Sequence, residues 1–565
     1  MNKNKNKDKN VNLKISVILK IIFLSAIVVL LGIFYMSKKE NLDIDEAYTY
    51  GLANNSFQLD VEEFKEYTGE EILHKYAAVK DGEEYNVRNV FFNQSQDTHP
   101  PLYYVLINFV CSLFKNTFSM WYGLVVNLIF LVIVFWEMRY LFSLIIKDNL
   151  FSTILTLISF TSYGFVNEMV FTRMYVMLTA ISMGFIILIL NQINKEPAIS
   201  KTNNMQVASQ DVKSNIIFLV LFFVICVCGI LTQYHFMIIA SFFSIVFAIH
   251  LIKTKNIKLL IATFVVGILS ITVAYMIFPA MANHIFGSGG VHSLGSANVA
   301  KTKFEIFSTL SSGLFTSFFS YGAILYAILL VIGIIIYLLN KNKNASTKVL
   351  NTTSSNLYLI FILSFIFYFT VIIFTVTFDF HRYLYNIYPI ISIIIYVPIY
   401  LLYKRINKYF SFVVIVLALV MTFTTKIDKA PTNLNVEDKL FIDYLKENKD
   451  TKMILLYRSI DNIGVQSSQV ATSWERPAPI YLFKDMKNMS YVDIGRAEIR
   501  SENGVKNKIR DFDNATIEGF NDIFLVIFTK ENDEALIRDI MMKNNVRTYN
   551  RIYFTNYFHV YRLTG

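Results

Sequence analysis

Charge is scarce in this chain. Only 17% of its 565 residues are Asp, Glu, Lys or Arg, against 54% hydrophobic, and the mean hydropathy is +0.46. That balance excludes an ordinary soluble chain and fits a polytopic membrane protein. Cysteine is scarcer still: Cys111, Cys226 and Cys228 lie in apolar stretches and read as small buried hydrophobes, so no disulfide framework can be drawn. The Cys226–Cys228 spacing is too tight, and its setting too apolar, for a metal site. There is no Gly-rich phosphate loop, no dinucleotide fingerprint and no internal repeat. No small-residue cleavage site follows the first apolar run, so that run is expected to stay as the first helix.

The charge that is present has an excess of bases, 52 Lys and Arg against 42 Asp and Glu. These bases cluster in short loops between apolar runs. Membrane orientation explains that better than nucleic-acid binding, so the bilayer is an expected partner and nucleic acid is not.

A spanning helix needs about 20 apolar residues. Eleven runs qualify: 14–36, 119–146, 150–167, 170–191, 214–232, 235–252, 258–279, 315–340, 356–378, 384–403 and 409–424. The run Pro101–Phe114 would reach only about 20 Å as a helix, short of the roughly 30 Å hydrocarbon core. If it lies on or in the outer leaflet without crossing, every base-rich short loop becomes cytoplasmic. These are "MNKNKNKDKN", Lys147, the 192–213 loop, "KTKNIK", "NKNKNASTK" and "KRINK". If it crosses, all of them after the first face outward.

This topology predicts a multi-pass protein of the cytoplasmic membrane. Its outer face holds residues 37–118, Asn167–Glu168, "TQYH" (232–235), the Gly-rich 280–314 loop, "DFHRY" (379–383) and the tail. The chain divides into a basic tail at 1–13, a transmembrane domain at 14–425 with a first outer loop at 37–118, and a domain at 426–565. In that last domain "KMILLYR" and "DIFLVIF" read as buried strands. "VEDKLFIDYLKEN" and "DEALIRDIMMKN" read as amphipathic helices, and "RTYNRIYFTNYFHVYRL" as a closing hairpin, so a small extracytoplasmic α/β domain is expected.

Five clusters on that face can carry chemistry. In "NLDIDEAYTYGLA", Asp43, Asp45 and Glu46 follow the first span almost at once. A carboxylate there can be a general base, a metal ligand or a helix N-cap. "THPPLYY" places His99, two prolines and Tyr103 at the start of an apolar stretch, which also suits a Pro-initiated surface helix. "NEMVFTRMY" puts Glu168 in a short turn and Arg173 about one turn inside the next helix, where an ion pair between them is the bland reading. "DFHRYLY" sets His381 and Arg382 at a helix end. There Arg can fork onto phosphate oxygens or snorkel to headgroups. The Gly-rich loop, with His284 and His292, can gate a site or be plain solvated chain. No cofactor is implied with force, and no metal ligand is assigned, although a divalent ion stays open.

At these residues the chain resembles the bacterial glycosyltransferase family 39 proteins. These are relatives of protein O-mannosyltransferases and lipid A aminoarabinose transferases, with the GT-C fold. The matching stretches are "DEAYTYGLA" (Asp45, Glu46), "HPPLYY" (His99 to Tyr104), "RMY" (Arg173 to Tyr175) and "RYL" (Arg382 to Leu384). The resemblance covers roughly residues 14–425. It implies inverting transfer of a sugar from a polyprenyl-phosphate donor to a glycan, lipid or protein acceptor outside. Asp45 would be the general base and Glu46 its support. Arg382, with His381, Arg173 and His99, would hold the donor phosphate, and Asp43, Glu168 and Tyr103 would support the site or meet the acceptor. Relatives often carry an acid two positions before the Arg of Arg-Met-Tyr. Here that residue is Phe171 and the nearest acid is Glu168, so the part Glu168 plays is open. The rival readings are a polysaccharide polymerase or ligase using a lipid-diphosphate donor, a lipid or solute transporter, and a receptor built on the outer tail.

The topology is testable directly. In a background lacking the native cysteines, Asn204→Cys should be shielded from impermeant thiol reagents in intact cells, and Asn503→Cys should be labelled. The reverse pattern would overturn it.

Overall fold

The computed structural model describes residues 2–56, 59–62, 64–199, 205–286, 302–318, 352–376, 380–406, 436–457, 476–493, 522–528, 537–538, 541, 546–555 and 558–565. In chain order the helices are α1 (Asn2–Met36), α2 (Ile44–Asn54), α3 (Gly69–Ala77), α4 (Val87–Gln96), α5 (Leu102–Ser112), α6 (Trp121–Ile146), α7 (Asn149–Phe160), α8 (Tyr163–Val170), α9 (Tyr175–Ile199), α10 (Met205–Thr232), α11 (Phe236–Lys253), α12 (Ile257–Ile277), α13 (Met281–Phe286) and α14 (Lys303–Phe318). They continue with α15 (Thr352–Thr375), a 3-10 helix at His381–Ile387, α16 (Tyr388–Ile406) and α17 (Val436–Glu447). The strands are β1 (Glu66–Tyr67), β2 (Lys452–Tyr457), β3 (Met489–Asp493), β4 (Asp522–Ile527), β5 (Thr548–Phe554) and β6 (His559–Thr564). The protein is a polytopic α-helical membrane protein with a small sheet-containing unit.

Two compact units divide the chain. The first holds Met1–Lys38, Thr98–Tyr103 and Gly123–Ile427; the second holds Lys39–Asp97, Tyr104–Tyr122 and Asp428–Gly565.

In the first unit, seven described helices are long and apolar enough to cross a bilayer: Ser16–Met36, Trp121–Ile146, Tyr175–Lys195, Val212–Thr232, Phe236–Lys253, Ile257–Ile277 and Ser354–Thr375. Each matches a run expected from hydropathy. α9 packs against α10 and α11, and α10 against α12. The expected 384–403 span begins as the 3-10 helix and continues as α16. Most of the 315–340 run, and all of 409–424, lie outside the described residues.

The run 150–167 departs from expectation. It is not one straight helix but the pair α7 and α8, bent by 69°. Thr161 and Ser162 are the cause. Their hydroxyls donate to the carbonyls of Ile158 and Ser159, at 2.8 and 2.7 Å, and Ser162 Oγ then caps α8 by accepting from the Phe165 N–H. Such local bonds give the backbone an alternative to continuing the helix.

In the second unit a six-stranded sheet has the order β1-β3-β2-β4-β6-β5. β2 runs parallel to β3 and β4, and β6 pairs antiparallel with β4 and β5. The two strands and the hairpin expected from sequence are all present, as is the helix α17. One sheet face buries Ile454, Leu456, Val492, Leu525 and Tyr561 around Ile537. Arg562 pins the neighbouring strand by donating from Nε to Asp522 Oδ1 at 2.8 Å. Only 537–538 and 541 of the expected helix over 533–544 are described. β1 comes from far upstream and pairs antiparallel with β3, Glu66 opposite Ser490. α2 to α5 are tied by asparagine amides: Asn54 donates to Ala77 O, Asn93 to Leu52 O and Asn108 to Ala53 O. α5 has eleven residues, and at about 1.5 Å per residue it falls short of a span.

Candidate active site

The acids begin the second unit. Asp43 is the N-cap of α2: its carboxylate accepts from the Asp45 N–H at 2.9 Å. Glu46 completes a capping box, with Oε2 accepting from the Asp43 N–H at 2.8 Å. The same oxygen accepts from Lys39 Nζ at 2.8 Å, and both side chains of that ion pair are fully buried. The cap is therefore Asp43, and Glu46 is locked by two bonds. Asp45 occupies the helix's first turn and stays half-buried. A carboxylate there faces the positive end of the helix dipole.

The basic groups belong to the first unit. Arg173 Nη2 lies 3.3 Å from His99 Nε2. Arg can only donate, so His99 Nε2 accepts and its proton sits on Nδ1, which is 3.4 Å from Thr98 Oγ1. Arg173 is buried, 3% exposed, and is not inside a helix as the sequence implied; it occupies the break between α8 and α9. Asn127 on α6 makes that break. Its amide nitrogen donates to Phe171 O at 2.8 Å and Met169 O at 3.2 Å, and its oxygen accepts from Tyr103 OH at 3.0 Å. With those carbonyls taken, the helix does not run on. The Arg173 N–H turns back instead to Phe171 O.

Glu168 is not in a turn. It is buried within α8, where Oε1 accepts from Thr179 Oγ1 at 2.6 Å. Thr179, and not Arg173, is its partner.

The late motif forms the 3-10 helix. The Arg382 guanidinium lies 4.1 Å over the Phe380 ring. Tyr368 OH lies 2.8 Å from Tyr383 O and 2.7 Å from Asn386 Oδ1, and its one hydrogen serves both oxygens. His381 packs so closely on α14 that a Cβ at Gly313 would overlap its ring. Tyr388 meets Ser317 Oγ at 3.0 Å one turn further along α14.

His235 joins the two basic clusters. It is the residue before α11, its ring stands edge-on to Tyr383 at 5.4 Å, and it lies within electrostatic reach of His99. Burial first, and His99 second, push its imidazole down to about 4. The sequence motifs gave His235, in "TQYH", no part; a lone His in a four-residue turn carries no spacing signal. Asn127 was missed for the same reason. Among the described residues no group of three or more His, Cys, Asp or Glu could hold a metal ion, and His292 lies outside them.

The buried ion pair yields a stability test. Lys39→Met leaves the Glu46 carboxylate buried without its cation, which should cost about 3–5 kcal/mol. The apparent melting temperature of the detergent-solubilised protein should fall. Lys39→Met with Glu46→Gln should recover most of the loss, because Gln still caps and carries no charge. A single variant as stable as the parent would show that the pair is dispensable.

No protein-family profile matches this chain, and no curated protein does. Among solved structures it is similar to ArnT from Cupriavidus metallidurans bound to undecaprenyl phosphate. The TM-score is 0.47 at 10% identity, over 96% of this chain and 97% of that one. It is similar also to the apo state of that protein, with a TM-score of 0.46 at 9% identity over 97% and 98%. Both likenesses are distant.

Proposed function

We propose that this protein is an inverting glycosyltransferase of the GT-C kind, with family 39-like motifs. It moves a sugar from a polyprenyl-phosphate donor to a hydroxyl of a glycan, lipid or protein at the outer face of the cytoplasmic membrane. The observation that carries this reading is the meeting of His99 and Arg173, from motifs far apart in sequence, with His235 linking them to the Arg382 turn. Cationic groups held beside apolar helices suit a phosphate carried on a lipid tail.

In this mechanism the acceptor oxygen attacks the anomeric carbon from the face opposite the phosphate. The carbon–oxygen bond to the phosphate breaks, and the electron pair leaves with the polyprenyl phosphate. Asp45 takes the acceptor's proton, which a hydroxyl cannot shed unaided at neutral pH. Glu46 holds the start of α2, and so the position of Asp45, through its bonds to Lys39 and the Asp43 N–H. Arg382 and Arg173 offset the negative charge that grows on the phosphate.

Purified protein should release sugar from a polyprenyl-phosphate-linked donor. Arg382→Ala removes a charge-assisted interaction worth about 1.5–3 kcal/mol and should weaken donor use accordingly. Arg382→Lys should restore only part, lacking the planar fork. Unchanged donor KM and kcat in the Ala variant would make Arg382 a headgroup anchor.

Asp45→Asn should fold normally and lower kcat by about 10²–10⁴. Asp43→Asn should cost far less, since Asn caps a helix nearly as well as Asp. An inactive Asp43→Asn, or an active Asp45→Asn, would reverse the assignment.

A further inference from the structure

His235 is half-buried at the head of α11. Its Nδ1 is enclosed by protein and has no hydrogen-bond partner among the described residues. A buried N–H without an acceptor is the rarer and costlier arrangement, so Nδ1 is the bare nitrogen and the proton sits on Nε2. Among the described residues no hydrogen bond uses that Nε2–H. Among the described residues the titratable groups that face the ring are His99 and Tyr383; Arg173 meets His99, and Arg382 precedes Tyr383 in the turn. His99 cannot offer Nε2–H to a ligand while that nitrogen accepts from Arg173.

We propose that His235 is a neutral hydrogen-bond donor to a phosphate oxygen of the lipid-linked donor, presented through Nε2–H beside His99 and Tyr383. This rests on the glycosyl-transfer reading above and adds a recognition residue to it. A further cation at this buried place would be poorly solvated. An uncharged donor adds a hydrogen bond without that penalty, and the low affinity of this imidazole for a second proton, noted above, keeps it uncharged at neutral pH.

The test compares binding of undecaprenyl phosphate and of undecaprenol to the detergent-solubilised full chain, by native mass spectrometry. Wild type should prefer the phosphorylated lipid; equal binding would overturn the transfer reading, and the inference with it. Given that preference, His235→Phe should weaken undecaprenyl phosphate by about tenfold or more, the usual scale of a hydrogen bond to a charged group, and leave undecaprenol unchanged. His235→Gln puts an amide N–H near the place of Nε2 and should stay within about threefold of wild type. His235→Asn, whose N–H falls nearer Nδ1, should resemble Phe. Folding is checked by size exclusion and melting temperature. If Phe binds undecaprenyl phosphate as wild type does, or a folded Gln variant falls as far as Phe, His235 is a packing residue while the transfer reading stands.

Discussion

A chain cannot leave a helix among apolar helices unless something takes up the carbonyls it abandons. Here that something is the Asn127 side chain. By holding Met169 O and Phe171 O it ends α8, lets α9 start afresh, and leaves Arg173 in the gap. The guanidinium then reaches His99 instead of lying along a helix surface. Tyr103 orients the same amide, so the His-Pro-Pro segment and the Arg-Met-Tyr segment are braced through one polar group. Charge at this place in the fold is a consequence of a broken helix, and the broken helix is a consequence of one asparagine.

The acidic end uses a different device. Glu46 is removed from water completely and made tolerable by Lys39 and by a backbone N–H. Such pairs rarely add stability over an apolar alternative, but they tolerate only one arrangement. Asp45, between the cap and its box partner, inherits that fixed geometry without itself being buried. Three neighbouring acids thus take three places in a single turn of helix: the cap, the first turn and the box.

Hydropathy made the spans legible, because a bilayer imposes a length and a composition on each of them. It missed the bend at Thr161–Ser162, since these are two of six Ser and Thr residues in an eighteen-residue run and do not stand out. The strands β2 and β4 were visible as short buried runs and the hairpin as alternation. β3 was not, and neither was its pairing with Glu66–Tyr67, which depends on contacts across most of the chain. Of the motif residues, His99 and Arg173 stand far apart in sequence and meet in the structure. The roles of Asp43 and Glu46 as cap and box could be weighed only as alternatives, and His235 and Asn127 stood in no motif at all. Residues whose work is to hold others in place are chosen by three-dimensional surroundings that a linear pattern does not record.

The second unit is drawn from three separated stretches, and its edge strand β1 is made long before the strand it pairs with. During synthesis the early stretches must wait, with their partners missing, while the intervening helices are inserted. Contacts this distant in sequence form slowly and expose sticky edges meanwhile. Completion of the sheet therefore reports that the whole membrane part has been delivered. A ribosome that stalls before residue 428 leaves a visibly unfinished product, with an unmated strand that quality-control proteases can recognise.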